Sequence, residues 1–138
     1  MNKKVSIAAL LFVLLLGQSA FAMRSAVIGG VRDGLAIGIM AEENTPSNIG
    51  IRFGAEACTG KNPVILFLGG KKYLTTLSSN TPLSLGFGLV AYAGNKTEAG
   101  ISVSAIFDRA FGVPPLFAEV GIDIAGSGKL QAQVGYKY

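Results

Sequence analysis

The chain has 138 residues, of which 12 are basic and 8 acidic, and it contains no histidine. It therefore lacks the usual general base, the commonest metal ligand and the partner that activates a catalytic serine. Two of the basic residues, Lys3 and Lys4, lie in the leader described next, and the small remaining net charge does not indicate a nucleic-acid partner. The composition predicts a protein that is not an enzyme and holds no cofactor or metal.

The first 22 residues have the pattern of a secretory signal peptide. A positively charged start precedes an apolar run at 8–17 and an A-x-A cleavage site at 20–22. The run is shorter than the roughly 20 residues that a membrane-spanning helix needs. We expect cleavage after residue 22, which leaves residues 23–138 as one domain of 116 residues.

Apolar side chains recur at every second position through most of residues 23–138, as in strands with one apolar face. In residues 83–93, for example, Leu83, Leu85 and Phe87 share the face opposite Ser84 and Gly86. Gly, Asn and Pro residues, which favour turns, separate these segments. The pattern predicts eight strands, at 24–32, 34–43, 48–58, 63–74, 82–94, 97–108, 114–126 and 128–138.

The length of the domain agrees with eight strands. A membrane strand takes roughly 9–11 residues, so eight use roughly 80 residues and leave enough for seven short connections. Ten strands would leave almost nothing for their connections, and bacterial barrels have even strand numbers from eight upward. We expect an all-β protein, an eight-stranded antiparallel up-and-down transmembrane β-barrel.

The less apolar face of the strands is mostly Gly, Ser and Ala with a few charges, which suits the narrow interior of such a barrel. The bulky aliphatic face then suits lipid. Buried charges need partners, and we expect Glu119 to pair with Lys137 across strands 7 and 8. The predicted lumen charge network comprises Arg52, Glu56, Glu119, Asp123 and Lys137.

Two further sets of residues are expected at opposite ends of the barrel. If both termini lie at one end, that end carries an aromatic girdle, comprising Tyr73, Phe107, Phe111, Phe117, Tyr136 and Tyr138. The turns at the other end carry or adjoin four basic residues, a possible rim for the phosphates of lipopolysaccharide: Arg32, Lys61, Lys96 and Lys129. These turns are the shorter ones, whereas outer-membrane barrels usually have their long loops on the outside.

The final nine residues, L-Q-A-Q-V-G-Y-K-Y, alternate most regularly. Their apolar face consists of Leu130, Ala132, Val134, Tyr136 and Tyr138. This segment closely resembles the C-terminal strand that the assembly machinery of the bacterial outer membrane reads. With P-L-S-L-G-F-G-L-V-A-Y at 82–92 and G-G-K-K-Y-L at 69–74, it makes the whole domain resemble the small outer-membrane β-barrel superfamily that includes opacity-type surface proteins.

The resemblance implies a location in the outer membrane, with membrane lipid and the assembly machinery as partners. The family has diverse roles, so the fold alone does not give the function. Our first hypothesis is a non-enzymatic barrel with a structural role in membrane integrity. The alternatives are a surface adhesin or receptor, a narrow pore, and a soluble periplasmic β-domain.

Overall fold

The computed structural model describes residues 24–44, 49–77 and 80–138. They form a closed barrel of eight antiparallel strands in which each strand pairs with its neighbours in sequence and β1 pairs with β8. The predicted all-β up-and-down fold is therefore confirmed, whereas the predicted signal peptide lies outside the described residues. The strands are β1 Arg24–Arg32, β2 Leu35–Asn44, β3 Ile49–Cys58, β4 Val64–Leu77, β5 Thr81–Ala93, β6 Glu98–Asp108, β7 Leu116–Ala125 and β8 Ser127–Lys137.

Seven of the eight strands lie within two residues of their predicted bounds, and β4 is the exception. It continues to Leu77, three residues past the prediction, and pairs with Thr81 of β5 after a register shift that follows Tyr73. Its pairing with β3 ends at Lys72, and the pairing of β5 with β6 ends at Leu83. The β4–β5 hairpin therefore projects beyond its neighbours where a long loop was expected.

The two ends of the barrel differ in their connections. The turn end carries the connections after β1, β3, β5 and β7, which are one to five residues long, and the terminus end carries Arg24 and Lys137. Asp33 and Gly34 join β1 to β2 with positive φ angles of 57° and 121°. Val31 pairs with Leu35, so the turn comprises three residues, and Asp and Gly are among the residues that adopt positive φ most readily. The β6–β7 connection at the terminus end includes a single 3-10 turn, Ala110–Gly112.

Alternation along each strand sends one set of side chains into the barrel. Two apolar clusters lie inside, one of Ala26, Ile28, Met40, Ile106 and Phe117, and one of Ile65, Val90, Tyr92 and Ala125. Charged side chains occupy the space between and around these clusters. No helix in the described part of the chain is long and apolar enough to cross a membrane.

Candidate functional site

The barrel interior holds three groups of ion-paired side chains, which follow one another from the turn end to the terminus end. The first, here called the Arg32 group, comprises Arg32, Glu56, Tyr92, Asp123 and Gln133. The guanidinium of Arg32 lies 2.7 Å from a carboxylate oxygen of Glu56 and 2.7 and 3.1 Å from the two oxygens of Asp123. The Tyr92 hydroxyl donates to Asp123, and the Gln133 amide donates to Glu56. Each carboxylate thus has a charged and a neutral donor.

The second group centres on Arg52, midway along the barrel. Its two terminal nitrogens donate to Glu119 at 2.8 and 3.2 Å, and the Ser104 hydroxyl donates to the same carboxylate at 2.5 Å. The guanidinium carbon lies 5.8 Å from the ring centre of Phe117, within range of a cation–π contact. Arg52 Nε also lies 3.4 Å from Glu42, which joins this group to the next one.

The third group, here called the terminus-end group, comprises Glu42, Lys71, Asp108 and Lys137. Lys71 Nζ lies 3.0 Å from Glu42 and 2.6 Å from Asp108. Lys137 Nζ lies 3.3 Å from Glu42 and 2.9 Å from Asp108. Each lysine bridges both carboxylates, so the four side chains form a ring of alternating charge.

The structure places all five residues of the predicted lumen network inside the barrel, but the expected pair of Glu119 with Lys137 is wrong. The β7–β8 register sets Glu119 opposite Gln133, four residues before Lys137. Glu119 instead binds Arg52, and Lys137 belongs to the terminus-end group. Adjacent strands alone suggested the pair, whereas Glu119 binds Arg52 across the lumen, and the carboxylates beside Lys137 lie on strands that do not pair with β8.

Several members of these groups were missed from the sequence. Each lies on the inward side of its strand, and the period-two pattern assigns it to the less apolar face. That pattern was sufficient to find most of them, whereas the segments of Arg32 and Lys71 alternate less regularly. They are Arg32, Glu42, Lys71, Tyr92, Ser104, Asp108 and Gln133.

One residue of the predicted basic rim, Arg32, does not lie on the rim. Arg32 is 2% exposed and belongs to the lumen, so its assignment to the rim is wrong. It ends a strand whose even-numbered residues face inward, and the carboxylates there provide its partners. Lys129 contacts Glu98 at 3.0 Å and the carbonyl of Ala125 at 2.7 Å, while Lys61 and Lys96 are exposed. Contact with lipopolysaccharide stays a prediction, resting now on fewer cations.

The predicted aromatic girdle also changes. Phe117 is buried inside the barrel between Arg52 and Lys137, so its assignment to the girdle is wrong. It lies between the outward-facing Leu116 and Ala118 and therefore points inward. Tyr73 pairs with the inward-facing Ser84 and lines the inside of the terminus end, so its assignment to the girdle is also wrong, whereas Phe111, Tyr136 and Tyr138 are exposed at that end.

The predicted assembly strand is β8, which closes the barrel between β1 and β7. Its outward positions are the expected ones, with Leu130, Val134 and Tyr136 exposed and Ala132 half-buried. Tyr138 follows the strand and is 74% exposed. Recognition of this strand by assembly machinery stays a prediction.

The cavity described in the middle of the barrel is small. A cavity of about 30 Å³ adjoins Gly69 and Gly88, which is close to the space of one water molecule. The described residues include no cluster of three or more His, Cys, Asp or Glu side chains placed to hold a metal ion. Comparison of the chain with protein-family models, curated proteins and solved structures gives no match.

Proposed function

We propose that this protein is an integral outer-membrane β-barrel with a non-enzymatic, structural role in the membrane. The outer face of the barrel carries this proposal. Among the described strand residues that face outward, the charged ones are Glu43 and Lys72, and both lie toward the terminus end. The remaining outward positions are mostly aliphatic, including Leu35, Ile37 and Leu89, each more than 60% exposed.

This arrangement suits lipid better than water. A soluble protein rarely exposes a continuous apolar surface of this extent, because apolar area in contact with water costs about 25 cal/mol per Å². In a bilayer the same surface is favourable, and a closed barrel leaves no backbone group of its strands unpaired in lipid. Strands of 9–14 residues match or exceed the roughly 9–11 that a tilted membrane strand needs.

The filled lumen argues against two of the alternatives. A pore needs a continuous aqueous path, and the Arg32 and Arg52 groups occupy the interior with paired, buried side chains. A soluble carrier that holds its ligand in the middle of the barrel needs a cavity there, and the one described there is about 30 Å³, close to the space of one water molecule. Short turns at the turn end likewise offer little surface to an adhesin or receptor ligand.

A structural role follows from what remains. The barrel offers an apolar belt to lipid, a rigid interior of ion pairs and the exposed aromatic residues Phe111, Tyr136 and Tyr138 at the terminus end, where such side chains prefer the membrane interface. We include outer-membrane lipid and the assembly machinery among its proposed partners, with β8 as the segment that the machinery recognises.

Fractionation tests the proposal. The full chain, expressed in a bacterium with two membranes, should sediment with the outer membrane, resist carbonate extraction and migrate differently on a semi-denaturing gel before and after boiling. A closed barrel that stays folded in detergent explains the gel shift. Recovery of folded protein from the soluble periplasm without detergent would refute it.

A further inference from the structure

The terminus end contains a second cavity that the structural role does not use. Its volume is about 360 Å³, within the range of small-molecule sites. The terminus-end group lines one part of it. Arg24, Ser84 and Arg109 also line the cavity. We call this space the terminus-end cavity.

The net charge of the domain is concentrated at this cavity. Residues 23–138 include ten basic and eight acidic side chains. Four of each lie at the turn end, and Arg52 is balanced by Glu119 midway along the barrel. Lys72 and Glu43 face outward and balance each other. The remaining charged residues line the cavity. They are four basic residues, Arg24, Lys71, Arg109 and Lys137, and two acidic residues, Glu42 and Asp108.

The surplus of two positive charges belongs to the two arginines. Lys71 and Lys137 are held by the two carboxylates that they bridge. Arg24 and Arg109 have no ion pair or hydrogen bond among the described side chains. A guanidinium offers five N–H donors in a planar fork, so both arginines keep their capacity for an anion.

The backbone at Arg109 is unusual. Arg109 has φ 53° and ψ 41°, the left-handed conformation that residues other than glycine rarely adopt, and Phe111 has φ 55°. Residues held in such conformations cluster at binding sites, where the surrounding structure maintains them. Here the conformation belongs to a residue whose side chain lines the cavity.

A hydroxyl group lies beside the same cavity. Ser84 is 2% exposed and is one of the residues that line it. A serine hydroxyl can donate a hydrogen bond to an anion, so Ser84 adds a neutral donor to the two guanidinium groups.

We propose that the terminus-end cavity binds a phosphate monoester. Such a group carries about two negative charges at neutral pH, which equals the surplus of the cavity. Its oxygens accept bidentate hydrogen bonds from guanidinium groups and a further bond from a hydroxyl. The ester is either a soluble compound or the headgroup of a lipid, and the inference does not depend on membrane insertion.

Titration of the refolded mature chain in maltoside micelles tests this proposal. The probes are glycerol 3-phosphate and short-chain phosphatidic acid, followed by calorimetry and by phosphorus NMR. Arg24→Gln and Arg109→Gln should each weaken binding about tenfold, because each removes a charge-assisted hydrogen bond. Ser84→Ala should weaken binding by a smaller factor, and added salt should weaken it in the parent protein.

Matched controls come from the turn end. Lys61→Gln and Lys96→Gln make the same change of charge away from the cavity and should leave binding unchanged. Binding of glycerol 3-phosphate indicates a soluble ligand, and binding of phosphatidic acid alone indicates a lipid headgroup. If neither probe binds, or if folded Arg24→Gln and Arg109→Gln bind as the parent does, the proposal is wrong. A heat-shifted gel band establishes that each variant is folded.

Discussion

The Arg32 group and the terminus-end group contain the same kinds of side chain in different surroundings. In the Arg32 group the ion-paired side chains of Arg32, Glu56 and Asp123 are 0–3% exposed. In the terminus-end group the exposed fractions are 6–18%, and the adjoining cavity gives access to water. Because burial raises the free-energy cost of an unpaired charge, the Arg32 group should contribute more to the stability of the fold. The terminus-end group borders a space that a ligand can enter.

Substitution of Arg32 should cause the largest decrease in the free energy of unfolding. Arg32→Met leaves Glu56 and Asp123 buried without their cation, and loss of one partner from a buried pair costs about 3–5 kcal/mol. We expect the free energy of unfolding to fall by that amount in urea titrations of the barrel in micelles. Adding Asp123→Asn should restore part of the loss, because one uncompensated charge disappears.

Arg24→Met is the matched control for this change. Arg24 lies on the same strand but is exposed, and among the described residues it has no ion-pair partner. Its replacement should change the free energy of unfolding by no more than about 0.5 kcal/mol. Equal losses for Arg24→Met and Arg32→Met would show that burial does not distinguish the two sites.

A charged substitution on the outer surface of the barrel should cause the next largest loss of stability. Val103 is the middle residue of β6, faces outward and is 46% exposed. In a bilayer Val103→Arg should cost about 2–4 kcal/mol, whereas Leu35→Arg at the turn end should cost about 0–1. Unfolding from lipid vesicles measures the difference. A soluble barrel would tolerate both substitutions equally well.

Among the three sites, a substitution in the terminus-end group should cause the smallest decrease in the free energy of unfolding. Lys71→Met leaves Lys137 bridging Glu42 and Asp108, and the cavity lets water reach these carboxylates. We expect a loss of about 1–2 kcal/mol, between the values for exposed and for buried pairs. A loss as large as that of Arg32→Met, in the same urea titration, would mean that the cavity does not relieve the buried charge.

Much of the fold could be predicted because the alternation of side chains is nearly unbroken. It gave the strand number, most strand bounds and the inward position of Glu119 and Asp123. The extension of β4 to Leu77 was missed, since a register shift after Tyr73 interrupts the period-two alternation in residues 74–77. Pairing with β5 holds that segment in a strand, and pairing depends on the neighbour as much as on the segment itself.

The partners of the charges were harder to predict. The alternation shows that Lys137 faces inward, but it does not show which carboxylate on another strand comes within reach of it. Glu42 is its partner from a strand 95 residues away in sequence, and strand stagger in the closed barrel brings the two together. Arg32 was misassigned because it adjoins a turn, a place where basic residues are commonly exposed.

Spin labelling tests the proposed membrane barrel most directly. With Cys58→Ala as background, single cysteines replace Val103, Val120 and Lys96, each carrying a nitroxide in lipid vesicles. Val103 and Val120 face outward near the middle of β6 and β7, and Lys96 lies in an exposed turn. We predict that labels at Val103 and Val120 collide more with oxygen, which concentrates in lipid, than with a water-soluble nickel chelate, and that Lys96 shows the reverse. Strong access of the nickel chelate to Val103 and Val120 in the folded barrel would contradict membrane insertion.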